Sequence, residues 1–128
     1  LTDLYKICSL LTEKKVILVS AFDNNGIVSY PAAFDNVIGV DASSADLKVY
    51  EYDFVENSIV NVIGSIREQK IKCNNDKYEI VSGSSFITPY ITLKVLSIIN
   101  QNGYKLSIDE IMAKLKESSK KIITFNIK

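Results

Sequence analysis

Histidine is absent from all 128 residues. The chain therefore offers no imidazole as a general base and none as a metal ligand. Hydrolytic chemistry in which histidine activates a serine cannot be completed by these residues alone. Cysteine is scarce as well. Cys8 and Cys73 lie far apart and in no metal-ligand spacing. Two cysteines build no disulfide framework, and they leave the redox compartment open. Cys8 falls on the apolar face of a predicted helix and reads as a small core residue. No apolar run is long enough to cross a bilayer, so no membrane span is expected. Neither sign of charge is in excess, with 15 Lys+Arg and 15 Asp+Glu. No net field draws the protein to nucleic acid or to an acidic surface. No cofactor and no metal are expected.

What is present describes a folded domain. Hydrophobic residues make up 47% and charged residues 23%, a balance that suits a globular chain. The length fits a single domain over residues 1–128 with one core. Leu1 has no Met before it and no basic, apolar leader. A helical stripe runs from the first residue, and the expectation is a fragment of a larger protein.

The order of elements suggests an α/β design. Leu1, Leu4, Cys8 and Leu11 mark a first helix over Leu1–Thr12. Val16–Ala21 is a continuous, β-branched apolar run, expected as a strand buried on both faces. Phe22–Gly26, FDNNG, is a loop of residues that tolerate left-handed backbone. Val37–Asp41 is a second buried strand. The polar stretch 42–57 reads as loop, with an edge strand at Leu47–Tyr52. Asp41, Asp46 and Asp53 are expected in solvated loops, and Tyr50 and Tyr52 as edge-strand packing residues. Ser58–Ile63 is a third strand. Residues 64–77 form a polar excursion, read as a hairpin with its tip at Asn74-Asn75-Asp76.

A helix apolar around most of its circumference, and therefore expected to be buried, follows over Ser85–Asn100. Asn102-Gly103 closes it. Ser107 and Glu110 form a capping box for a last helix with Ile108, Ile111, Met112 and Leu115 on one face. Residues 120–128 end the chain as a strand or tail. The whole reads as a three-layer, mostly parallel sheet flanked by helices.

The chemistry concentrates in Val81–Tyr90, VSGSSFITPY. A strand end, a glycine turn and two serines precede the long helix. A hydroxyl at a helix N-terminus sits beside unpaired backbone N–H groups, where a nucleophile can attack and an oxyanion can be held. The same residue types also serve simply as helix caps. In open α/β sheets, sites lie beyond the carboxyl ends of the strands. That places Asp23-Asn24-Asn25 and Ser84-Ser85 at one edge.

With both stretches in view, the chain resembles the C-terminal half of the subtilisin-like serine proteases. That family has a strand running into A-G-N-x-G, then Y-P-A, then V-I-x-V, and later G-T-S-M-A-[ST]-P-H before an apolar helix. Here stand VILVSAFDNNG at Val16–Gly26, Tyr30-Pro31-Ala32, Val37-Ile38-Gly39-Val40 and Gly83-Ser84-Ser85-Phe86-Ile87-Thr88-Pro89-Tyr90. The resemblance covers Leu1 to about Asn100.

It implies Ser85 as nucleophile and Asn24 as the amide that helps hold the oxyanion, with the Ser85 backbone N–H as second donor. It implies pocket walls at Ala21, Phe22, Asp23 and Ser29, and at Gly83 and Ser84 beside the nucleophile. It implies a cis peptide at Tyr30-Pro31. Asp23 replaces the family's Gly and brings a carboxylate toward a site meant to stabilise negative charge. Ser29 replaces a small residue at the pocket floor, and Phe86, Ile87 and Tyr90 replace Met, Ala and His. The family's catalytic Asp and His belong to its N-terminal half, before Leu1.

Three readings follow. One is a fragment of a subtilisin-like endopeptidase that acts on peptide or protein substrate when joined to its N-terminal half, and that is inactive alone. Another is a catalytically degenerate member kept for peptide binding or scaffolding. The third is an unrelated doubly wound domain in which the serines cap a helix. The resemblance points to a secreted or cell-surface setting. A face left bare by the absent half predicts association of the fragment with copies of itself.

Overall fold

The computed structural model describes residues 1–103 and 105–125. The chain forms α1 (Thr2–Glu13), β1 (Val19–Ala21), β2 (Ile38–Ser44), β3 (Tyr52–Glu56) and β4 (Val62–Ser65). It continues through β5 (Gln69–Lys72), β6 (Tyr78–Val81), α2 (Ser84–Asn102), α3 (Ile108–Glu117) and β7 (Ile122–Thr124). Five strands make one mixed sheet in the order β1-β2-β4-β3-β7. Its pairings are parallel except between β3 and β4. β5 and β6 form a separate antiparallel hairpin, turned at Asn74–Asp76 as the sequence predicts. No helix is long and apolar enough to cross a membrane among the described residues.

Strand alternation builds the core. Ile38 and Val40 of β2, Val62 of β4, and Tyr52 and Phe54 of β3 project to one face of the sheet. Against them α2 sets Ile87, Ile91, Val95 and Ile98, spaced by three and four residues, and α3 sets Ile111 and Leu115. The helix lies close because Gly64 faces it. A Cβ there would collide with Ile87 Cγ2. Gly103, in the left-handed region at φ 80°, ends α2 as Asn102-Gly103 predicts. The Ser107/Glu110 capping box opens α3. Cys8 is buried on α1, as its place on the stripe predicts.

Several elements differ from the sequence expectation. The run Val16–Ala21 yields only Val19–Ala21 as strand, and it is half-buried. It sits at the edge of the sheet, with one neighbour rather than two. The stretch 42–57 is not mostly loop: Tyr52–Glu56 is an interior strand between β4 and β7. The proposed edge strand at Leu47–Tyr52 ends where that strand begins. Asp53 is therefore not solvated but 3% exposed, and Asp41 lies half-buried in β2; Asp46 is exposed. Tyr52 is a core residue, whereas Tyr50 is exposed. The third strand falls at Val62–Ser65, later than Ser58–Ile63. α2 is not buried all round, since Leu93 and Leu96 face outward at 64% and 48% exposure. Of residues 120–128, Ile122–Thr124 is strand, and 126–128 lie outside the described residues.

Acids on and around β3 tie down the C-terminal segment. Glu56 pairs with Lys116, Glu51 with Lys120 at 3.2 Å, and Asp53 approaches Lys121 at 4.0 Å. The Lys116 ammonium, then the Thr124 hydroxyl, holds the Glu56 carboxyl below the usual range. The Glu56 and Glu51 pairs, made with exposed lysines, contribute little each. A stronger tie is the Tyr52 phenol, which donates to the Leu115 carbonyl at 2.7 Å and joins β3 to α3.

Burial pushes the Tyr52 phenol from 10.0 up to about 12. The unfolded chain thus ionises first, so the contribution is complete below pH 10 and lost as pH rises through about 12. Denaturant melts across this range should show the native chain losing roughly 2–3 kcal/mol more than Tyr52→Phe. Parallel losses in the two proteins would refute the assignment.

Candidate active site

The end of β1 and the start of α2 meet. β1 runs out through Phe22, whose N–H donates to the Val40 carbonyl at 2.8 Å. The chain then turns at Asp23-Asn24-Asn25. The Asp23 carboxylate accepts from the Asn25 N–H at 3.0 Å, and the Asp23 N–H donates to Ser29 Oγ at 3.0 Å. These two bonds shape the loop and present Asn24 to the helix. Asn24 Oδ1 accepts from the Ser84 N–H at 2.9 Å and from Ser84 Oγ at 2.9 Å. Ser84 Oγ also lies 2.5 Å from the Phe22 carbonyl. The Ser84 backbone can only donate, so the atom facing it is the amide oxygen of Asn24. That leaves Asn24 Nδ2 as the end of the amide that can donate elsewhere.

The turn into the helix needs glycine. Gly83 is the N-cap residue, at φ 111°. A Cβ there would meet Asn24 Oδ1 at 2.8 Å and Nδ2 at 2.9 Å. Neither serine caps the helix with its side chain, because the cap is Gly83 and carries no side-chain bond. α2 begins one residue earlier than the sequence suggests, at Ser84. Its first-turn amides are then divided. The Ser84 N–H goes to Asn24 and the Phe86 N–H goes to the Gly83 carbonyl at 3.0 Å. The Ser85 N–H has no partner among the described residues. A free amide at a helix N-terminus is suited to an oxygen anion.

The two serines thus separate by environment. Ser84 is fully buried, with its hydroxyl occupied. Ser85 is exposed, its side chain without a hydrogen-bond partner among the described residues. It opens on a shallow depression of about 690 Å³ lined by Ala21, Ser85, Thr88, Pro89, Thr92 and Leu93. None of these side chains ionises in the range of a general base. No side chain lining the depression can take the Ser85 proton. Among the described residues no cluster of His, Cys, Asp or Glu could hold a metal.

The remaining pocket residues divide into two groups. Ala21 lies beside Ser85 in the depression. The Phe22 ring is buried against Gly39 on the far face of the sheet, where a Cβ at Gly39 would stand 2.5 Å from Phe22 Cε2. Phe22 and Asp23 line a second, smaller cavity of about 70 Å³ together with Asp41 and Ile59. Ser29 acts on the loop through Asp23. Asp23 is exposed, and its carboxylate is engaged at Asn25 rather than at Asn24. Tyr30-Pro31 is cis. The helix residues Thr88, Pro89, Thr92 and Leu93 are absent from the sequence-derived site. Their spacing of three, four, seven and eight from Ser85 was the signal that places them on its face.

The chain matches no known protein-family model and no curated protein.

Gly83→Ala combines left-handed backbone with a collision at Asn24. A loss of about 1–3 kcal/mol is expected, read as a lowered thermal midpoint. An unchanged midpoint would mean that the turn relaxes without cost.

Proposed function

We propose that this chain is the C-terminal half of a subtilisin-like, three-layer catalytic domain, and that Ser85 is its nucleophile. The supporting observation is the junction of Asn24 with Ser84-Ser85. Two segments that resemble separate motifs of that family are hydrogen-bonded to each other. They leave an exposed serine hydroxyl and a Ser85 N–H without a partner among the described residues, next in the chain to the residue that holds the Asn24 amide. On this reading they supply one nucleophile and, with Asn24 Nδ2, two oxyanion donors. In the intact enzyme Ser85 attacks the scissile carbonyl of a peptide or protein substrate, and an acyl-enzyme forms and is hydrolysed. The Ser85 N–H and Asn24 Nδ2 receive the charge that develops on the carbonyl oxygen.

The base comes from outside this chain. The depression beside Ser85 is apolar and continues along the uncovered Leu93 and Leu96 side of α2. A second half that packs there would bring an imidazole against Ser85 and its carboxylate partner behind it. Until it is covered, this face favours self-association of the chain. A secreted or cell-surface setting belongs to the same reading.

A second reading is favoured by one observation, that no side chain lining the depression at Ser85 can act as a base. On it the fold persists as a peptide-binding or scaffolding module. A fluorophosphonate probe on the full-length protein separates the two. The enzyme reading expects labelling that Ser85→Ala abolishes. A well-folded full-length protein that resists the probe would sink it in favour of the module. The 128-residue chain by itself should hydrolyse no peptide, because a serine hydroxyl without a base is a poor nucleophile. Amide hydrolysis by the isolated chain that disappears in Ser85→Ala would contradict that expectation.

A further inference from the structure

Ser84 is fully buried, yet its polar side chain makes no cap and forms no part of the surface around Ser85. Its hydroxyl instead lies between two acceptors, the Phe22 carbonyl at 2.5 Å and Asn24 Oδ1 at 2.9 Å. We propose that Ser84 is a positioning residue that fixes which end of the Asn24 amide faces the reaction, and so makes Asn24 a donor. The proposal rests on the protease reading of Ser85 and Asn24. It concerns how the amide is held rather than what it holds.

An asparagine amide is nearly symmetric in shape, with an acceptor at one end and donors at the other. Turned by half a rotation, Asn24 would aim a carbonyl oxygen at the developing anion and repel it. Two donors on one residue prevent this. The Ser84 N–H and Oγ converge on the same atom, Oδ1. An NH2 group at that position would face the backbone N–H directly. The hydroxyl has one proton, shared between Oδ1 and the nearer Phe22 carbonyl, so it adds a weaker second restraint and links the amide to the end of β1. Gly83 closes the third side, since the amide lies where a Cβ of residue 83 would stand. Asn24 itself is exposed on a loop. Without these contacts its side chain would sample several rotamers, and each encounter would have to order it anew.

The arrangement makes a dependence that a merely structural serine lacks. Ser84 influences the reaction only through Asn24. Removal of the hydroxyl leaves the backbone N–H in place, so the effect is partial: a fall of about three- to tenfold in reaction rate, the span of one hydrogen bond. Once Asn24 is gone, removal of Ser84 Oγ should change nothing further.

The test uses the full-length protein and two readouts. The first is the rate of fluorophosphonate labelling of Ser85 in the native protein, Ser84→Ala, Asn24→Ala and the double variant, with Ser84→Thr as the variant that keeps the hydroxyl. Expected are a three- to tenfold slower Ser84→Ala, a double variant equal to Asn24→Ala, and a Ser84→Thr near the native rate. Multiplicative losses in the double variant, or a Ser84→Thr as slow as Ser84→Ala, would overturn the proposal. The second readout is the NMR order parameter of the Asn24 side-chain amide. It should be high in the native protein and fall in Ser84→Ala, with backbone values in α2 unchanged. A native protein that never labels refutes the protease reading, and the order parameter then still decides the positioning claim. An Asn24 amide equally ordered with and without the Ser84 hydroxyl overturns it.

Discussion

One side-chain oxygen, Asn24 Oδ1, holds together the two parts of the chain that matter most. It accepts from two groups of a residue 60 positions away, and that residue also reaches the carbonyl of Phe22. Each bond is worth only about 0.5–1.5 kcal/mol net. Their importance lies in what they prevent. Without Asn24 the Ser84 amide N–H would be left without a partner, while the hydroxyl would keep the Phe22 carbonyl, and such an orphan costs more than the bond gains. The end of β1, the turn at Gly83 and the first residue of α2 are therefore mutually required. The free Ser85 N–H and the exposed Ser85 hydroxyl follow from that division of donors.

The sheet explains why the junction is rigid on one side and open on the other. α2 packs one face against β1, β2 and β4 through Ile87, Ile91, Val95 and Ile98. Gly64 lets it approach closely. Its opposite face carries Leu93 and Leu96 into solvent, and among the described residues β1 pairs only with β2. A helix bare on one side next to an unpaired strand edge is an unfinished surface. It lies against Ser85, where the chain also lacks a base. On the proposed protease reading, one packed element would both cover this surface and supply the base.

Much of this was legible in the sequence. The periodicity of α2 and α3, the Ser107 box, the Gly103 stop and the hairpin tip at Asn74–Asp76 follow from local rules and appear as expected. So does the meeting of the Asn24 loop with the start of α2 at Ser84, expected from loops that follow strand ends. What failed was long-range. Tyr52–Glu56 looked like loop because its acids, Asp53 and Glu56, break the apolar run. They are accommodated because β7, Lys116 at the end of α3 and Lys121 beyond it come from far along the chain. Val16–Ala21 looked doubly buried because composition does not reveal which strand lies at an edge. The different fates of Ser84 and Ser85 depend on a start of helix one residue earlier. Boundary shifts of that size lie beyond what periodicity resolves.

Everything at this junction turns on Asn24 Oδ1 accepting a hydrogen bond from the Ser84 N–H. A helix N1 amide has no intrahelical acceptor and should exchange with solvent freely unless something else binds it. Residue-resolved hydrogen exchange therefore reads the junction directly. The account predicts a protected Ser84 amide in the native chain. It further predicts loss of that protection alone in Asn24→Ala, with Ile91 and Val95 in the helix interior still protected. A Ser84 amide that exchanges as fast as an exposed one, or that stays protected without Asn24, would contradict it.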